Sequence, residues 1–150
     1  MADSAWYLAS DEALAALERD PYWPKWDSPY WHMVALWEMG LAGQIAPRAA
    51  ETLARLLDER YLKHFPLPEE PLPPGCDETR HVPCHCQLGT AYQVLHACGI
   101  EVDGRLPWLR RWFLRHQLFD GGLNCDNAAY AKPSGKYAGR SPFRGLRSLV

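Results

Sequence analysis

Two glycines 59 positions apart, Gly40 and Gly99, each close a run of apolar residues spaced for one helix face. That recurrence constrains the fold more than any other feature of the chain. Ahead of Gly40, Tyr30, Met33, Val34, Leu36 and Trp37 return at helical spacing, and Pro29 suits the first turn of their helix. Beyond it, Pro47 opens a second helix with Leu53, Leu56, Leu57 and Tyr61 on one stripe. Laying Gly40 on Gly99 puts Leu36 on Leu95, Leu41 on Ile100, Leu53 on Trp112 and Ala54 on Phe113. The second copy then reads as helices over 86–97 and 107–116 around Gly99. Helical hairpins are thus expected over about 30–61 and 86–117, each burying its stripe on a neighbour. No strand pattern is evident, so the predicted class is all-α.

The remaining segments are read from their caps and breakers. Ser10, followed by Asp11 and Glu12, predicts the N-terminus of a helix that stops near Pro21. Residues 22–29, YWPKWDSP, fit neither period and read as a packed loop. Residues 66–74 hold five prolines and two glutamates, a composition for a linker rather than a helix or central strand. Residues 127–150 carry Lys132, Lys136, Arg140, Arg144 and Arg147 and no acid, leaving −7 on residues 1–126. The organisation expected is therefore one helical domain over 1–126 and a loosely ordered basic tail over 127–150.

Composition narrows the function classes. With 150 residues, 47% hydrophobic and 23% charged, the chain is expected to fold rather than stay disordered. No apolar run approaches the ~20 residues of a membrane span, and residues 1–11 lack a basic start and apolar stretch. A cytoplasmic protein is the expectation. Five cysteines, an odd number, argue against a disulfide framework. Spaced basic residues in the tail without a stacking motif argue against a nucleic-acid partner. No Ser/His/Asp arrangement, phosphate loop or dinucleotide glycine pattern is present.

A more specific pattern sits in the second hairpin. Gln117, two spacers, then Asp120, Gly121 and Gly122 follow the amphipathic segment from Trp108 through Trp112 and Phe113. Over about residues 80–126 this resembles the repeat of the prenyltransferase and squalene-cyclase superfamily. Leu123 stands where that repeat usually has an aromatic residue, and the first hairpin has Asp58 and Tyr61 in place of Gln117 and Asp120. The motif reads as structural: two glycines give a sharp turn at positive φ, while Gln117 and Asp120 satisfy groups at the helix end. The resemblance implies an α/α toroid around an apolar cavity, and hence an apolar, isoprenoid-like ligand. At 59 residues per unit the chain supplies about two and a half units, an incomplete ring where repeats usually need at least about three. An open hairpin edge implies a second copy or a partner chain, making a helical interaction scaffold the alternative. The chain lacks the Asp-rich motifs of the cyclases, so autonomous cyclisation is not expected.

The resemblance also directs attention to a metal. Protein prenyltransferases of that superfamily hold zinc with Asp, Cys and His at the mouth of an inner helix. Here the corresponding neighbourhood is Cys84, His85 and Cys86, with Cys125 and Asp126 on the loop expected at the same rim. Thiolates, imidazole and carboxylate are zinc donors, and a catalytic zinc needs only three protein ligands. An extended segment before the helix would turn Cys84 and Cys86 one way and His85 the other. A zinc-dependent transferase built on these five residues is the second alternative. Cys98 on the apolar stripe reads as a small core residue and Cys76 as incidental. His32 and His96 read as packed or rim residues, and Trp23, Trp26, Trp31 and Trp37 as packing at the N-terminal end of the core.

Overall fold

A computed structural model describes residues 2–64, 66, 70–118 and 121–125. Among them every regular element is helical, and no strand is present. In chain order these are α1 (Ala2–Leu8), α2 (Asp11–Arg19), α3 (Pro29–Glu38), α4 (Pro47–Arg60), α5 (Glu78–His81), α6 (His85–Ala97), α7 (Val102–Arg105) and α8 (Pro107–His116), with a 3-10 turn over Ala42–Gln44. Contacts group the chain into two units, residues 1–61 with 89–107 and residues 62–88 with 108–150. The described residues of the 66–74 stretch form neither helix nor strand. The basic tail lies outside the described residues.

In the first unit the caps do what their residue types require. Ser10 Oγ accepts the Ala13 N–H at 3.1 Å and opens α2. Pro29 and Pro47 occupy the first turns of α3 and α4, where the absent N–H leaves no helical bond unmade. Helix α1 packs on α2 and α3, and α2 packs on α3 and α4. Their shared core contains Leu8, Leu17, Met33, Leu36, Leu53, Leu56 and Leu57, all fully buried. On the rim Arg55 bridges Glu18 of α2 and Glu59 of its own helix, and Arg60 adds a second bond to Glu18 at 2.9 Å.

The recurrence in the sequence is reproduced by the backbone. Gly40 lies at φ +73° and Gly99 at φ +83°. Leu41 N–H donates to the Leu36 carbonyl at 2.8 Å and Ile100 N–H to the Leu95 carbonyl at 3.1 Å. Gly40 and Gly99 each donate to the carbonyl three residues earlier, both at 2.9 Å. Both helices therefore end in the same left-handed glycine closure, which glycine adopts without a Cβ penalty. Leu53 and its counterpart Trp112 are both buried as well.

The second unit contains α5, the first turn of α6 and nearly all of α8. Its core gathers Leu88, Leu109 and Trp112, with the rings of His85 and His116 buried beside the indole. Helix α5 is a single turn held by local bonds: Asp77 Oδ1 accepts the Arg80 N–H, and Asp77 N–H donates to His81 Nδ1 at 2.7 Å. Leu62 N–H donates to the His81 carbonyl at 2.9 Å, pairing the start of this unit with that turn.

Candidate metal centre

The site begins with the way α6 starts. Cys84 carbonyl accepts the first helical bond, from Leu88 N–H at 3.1 Å, and its Sγ accepts the Gln87 N–H at 3.3 Å. Cys84 thus stands at the N-cap position, with sulfur doing what a serine or aspartate oxygen usually does. Cys86 follows two residues later on the same side, its Sγ 3.0 Å from that of Cys84. Cys84 precedes the first helical residue, so the helical rotation that would set residues two apart on opposite sides does not apply to it, and its sulfur meets that of Cys86 while His85 turns away. Its ring lies against Trp112 with centroids 4.3 Å apart and is 2% exposed. The two sulfurs meet at a helix start, where the sequence suggested an extended segment.

Cys125 arrives from the other end of the unit. After α8, Gln117 Nε2 donates to the Gly121 carbonyl at 2.9 Å, and Leu118 N–H donates to the Gly122 carbonyl at 2.8 Å. Gly121 donates back to Leu118 at 2.8 Å from a φ of +84°. Gln117 thus bonds within the turn after α8, where it was expected to satisfy groups at the helix end. Gly122 is buried and is not among the positive-φ residues, so one glycine makes the sharp turn where two were expected. Asp120 and Asp126 lie outside the described residues. The reversal sets Cys125 Sγ 3.6 Å from Cys86 Sγ.

The three sulfurs all lie within 4.8 Å of one another. Tetrahedral zinc with Zn–S bonds of ~2.3 Å separates its sulfurs by ~3.8 Å; the Cys84–Cys86 and Cys86–Cys125 pairs, at 3.0 and 3.6 Å, lie somewhat inside that distance. Cys84 and Cys86 are half-buried and Cys125 is exposed, giving the cluster a closed back and an open front. Of the five expected ligands, this group contains Cys84, Cys86 and Cys125 and not His85.

Proton affinities within the cluster are strongly linked. Hydrogen bonds with Cys84 and Cys86 hold the Cys125 thiol far below its ordinary value. The same bonds push Cys84 and Cys86 up, with Cys125 the leading cause for each. Burial lowers His85 to about 4 and also lowers His116, keeping both rings neutral at pH 7.

Other candidate residues have separate surroundings. Cys98 is half-buried, and burial pushes its thiol up; Cys76 is half-buried near the α5 turn. His32 Nδ1 lies 3.0 Å from Ser4 Oγ and its ring packs on Tyr7, while exposed His96 stacks on Tyr92. The tryptophans depart from their expected role. Trp31 and Trp37 are half-buried, but Trp23 is 42% exposed and Trp26 is 73% exposed at φ +73°. The physical reason is the loop, whose backbone bonds to Asp20 and Ser28 fix its path independently of the indoles.

No protein-family model, curated protein or solved structure matches the chain. Among the described residues no helix is long and apolar enough to cross a membrane.

Proposed function

We propose that this chain is a helical zinc-binding protein in which the Cys84, Cys86 and Cys125 thiolates hold the ion. The observation that carries the reading is the convergence of these sulfurs, two at the start of α6 and one 39 residues beyond Cys86. Sulfur donors select zinc or another soft ion over magnesium or calcium. The N-cap position and the Gln87 amide favour negative charge on Cys84 once a cation displaces its proton. An ion here ties the Cys125 turn to the α6 terminus, and its binding energy becomes folding energy of this unit. Its fourth coordination position is left to Asp126, water or a substrate atom.

The prenyltransferase-like resemblance adds an independent reason to look for zinc beside this helix. Three sulfurs differ from the Asp, Cys and His set that resemblance implies, so zinc binding is the proposed function and prenyl transfer is not. The apolar-ligand and scaffold readings rest on the resemblance and the chain length. The thiol cluster is a feature of the fold and ranks first.

The test is metal analysis of protein purified under reducing conditions without chelator, followed by cobalt titration. Stoichiometric zinc and thiolate-to-cobalt charge-transfer absorption are expected, both lost in Cys84→Ser, Cys86→Ser and Cys125→Ser and kept in Cys98→Ser. Reduced, folded protein that binds neither ion sinks the proposal.

A further inference from the structure

The first unit carries a second organised site, in the loop between α2 and α3. Asp20 Oδ1 accepts the N–H groups of Tyr22 and Trp23, both at 2.9 Å, and Ser28 N–H donates to the Pro24 carbonyl at 3.0 Å. Ser28 Oγ and Trp31 Nε1 both donate to the Tyr22 carbonyl at 3.1 Å. This bonding fixes the backbone and leaves the Trp23 and Trp26 indoles exposed, with Trp31 half-buried and Tyr22 buried behind them. Tyr22 and Trp23 meet nearly edge to face, 5.5 Å apart at 84°, and Trp26 lies on Trp31 at 4.5 Å. Trp26 keeps a left-handed backbone that a bulky residue rarely adopts, and such strain persists where the surroundings impose it or function uses it.

The surface already shows which chemistry it accepts. Lys25 Nζ sits 5.7 Å from the Tyr22 ring centroid and 5.6 Å from that of Trp23, within reach of both π faces. Charge points the same way: the loop from Asp20 to Trp31 holds two acids, Asp20 and Asp27, against Lys25, a local balance of −1. From these observations we infer that the exposed Trp23 and Trp26 surface, backed by Tyr22 and Trp31, binds arginine or lysine side chains of a basic peptide segment on a partner protein. The partner's cations displace Lys25 from the Tyr22–Trp23 corner and stack on the exposed face of Trp26. The prefolded loop lowers the ordering cost of that contact. This inference does not depend on the metal site.

The test titrates full-length protein with a short blocked peptide of arginine, glycine and serine, reading tryptophan fluorescence and heat. The same peptide with glutamine for every arginine is the control. The arginine peptide is expected to bind at least about tenfold tighter than the control and to weaken with added salt. Trp26→Ala should weaken binding about fivefold, and Lys25→Gln, which empties the corner, should tighten it about threefold. Both side chains are exposed, and unchanged circular dichroism will show that the variants remain folded. Equal affinity for the glutamine peptide, no binding, or indifference to Trp26→Ala overturns the inference. Self-association abolished by Trp26→Ala also overturns it, assigning the surface to a second copy instead.

Discussion

Cys86 and Cys125 are separated by 39 residues, yet their sulfurs lie 3.6 Å apart. Hydrophobic burial does not explain this proximity, because Cys125 is exposed and Cys86 is half-buried. It is set by the start of α6 on one side and by the glycine turn after α8 on the other.

Metal removal is expected to destabilise the protein. An ion that binds the folded state and is present at a hundred times its dissociation constant adds about 2.7 kcal/mol. Thermal denaturation with and without chelator under reducing conditions checks this. Cys125→Ser should abolish the difference, whereas Cys98→Ser should leave it intact.

At position 26 the backbone and the side chain can be separated by two substitutions. Both Trp26→Ala and Trp26→Gly remove the exposed indole, but only glycine accepts φ +73° freely. A Cβ in the left-handed region costs about 1–2 kcal/mol, and glycine gives back part of that through its looser unfolded chain. Urea denaturation should find Trp26→Gly more stable than Trp26→Ala by about 0.5–1 kcal/mol. The reverse order would mean the strain is released elsewhere in the loop.

Trp112 is the largest fully buried side chain in the second unit and packs on His85, Phe113 and His116. Replacing it with alanine opens a cavity and should cost about 3–5 kcal/mol. Equilibrium denaturation measures the loss. Metal titration of Trp112→Ala should also show weaker binding, because the residues around α6 lose their packed support.

Acidification should weaken the fold below neutral pH. Burial lowers His85 from 6.5 to about 4 and lowers His116 as well, so the unfolded chain binds more protons in that interval. Stability from these rings is complete above about pH 7 and falls as pH drops through 6.5 toward 4, by at most about 1.4 kcal/mol per pH unit for each histidine. Urea midpoints taken in chelator, which removes proton–metal competition at the thiols, should show that slope. His116→Phe should reduce it.

The helices legible in sequence are those punctuated by residues with strong backbone requirements. Ser10, Pro29, Pro47 and Pro107 mark the starts of α2, α3, α4 and α8, and Gly40 and Gly99 mark the closures after α3 and α6. The helices α1, α5 and α7 escaped because they are short, and α5 and α7 are held by side chain-to-backbone bonds at Asp77 and Glu101 rather than by an apolar stripe. The metal candidates were half legible. Cys84 and Cys86 are neighbours in any conformation, but the separation of His85 from them depends on where the helix begins. Tryptophan composition misled most: hydrophobicity suggested burial at Trp23 and Trp26, whereas polar bonds from Asp20 and Ser28 decide the course of that loop.

On the proposed zinc reading, the Gln117 bond to the Gly121 carbonyl would also set an order of events in time. A metal ion meeting the unfolded chain finds Cys84 and Cys86 adjacent from the outset, while Cys125 reaches them after the turn has closed. Capture is therefore expected as two kinetic phases, a fast bidentate encounter and a slower arrival of the third sulfur. Stopped-flow cobalt absorption resolves such phases. Losing one hydrogen bond worth about 1 kcal/mol, as in Gln117→Ala, should slow the second phase and spare the first. A glutamine that never touches the ion then acts as the timer of its enclosure.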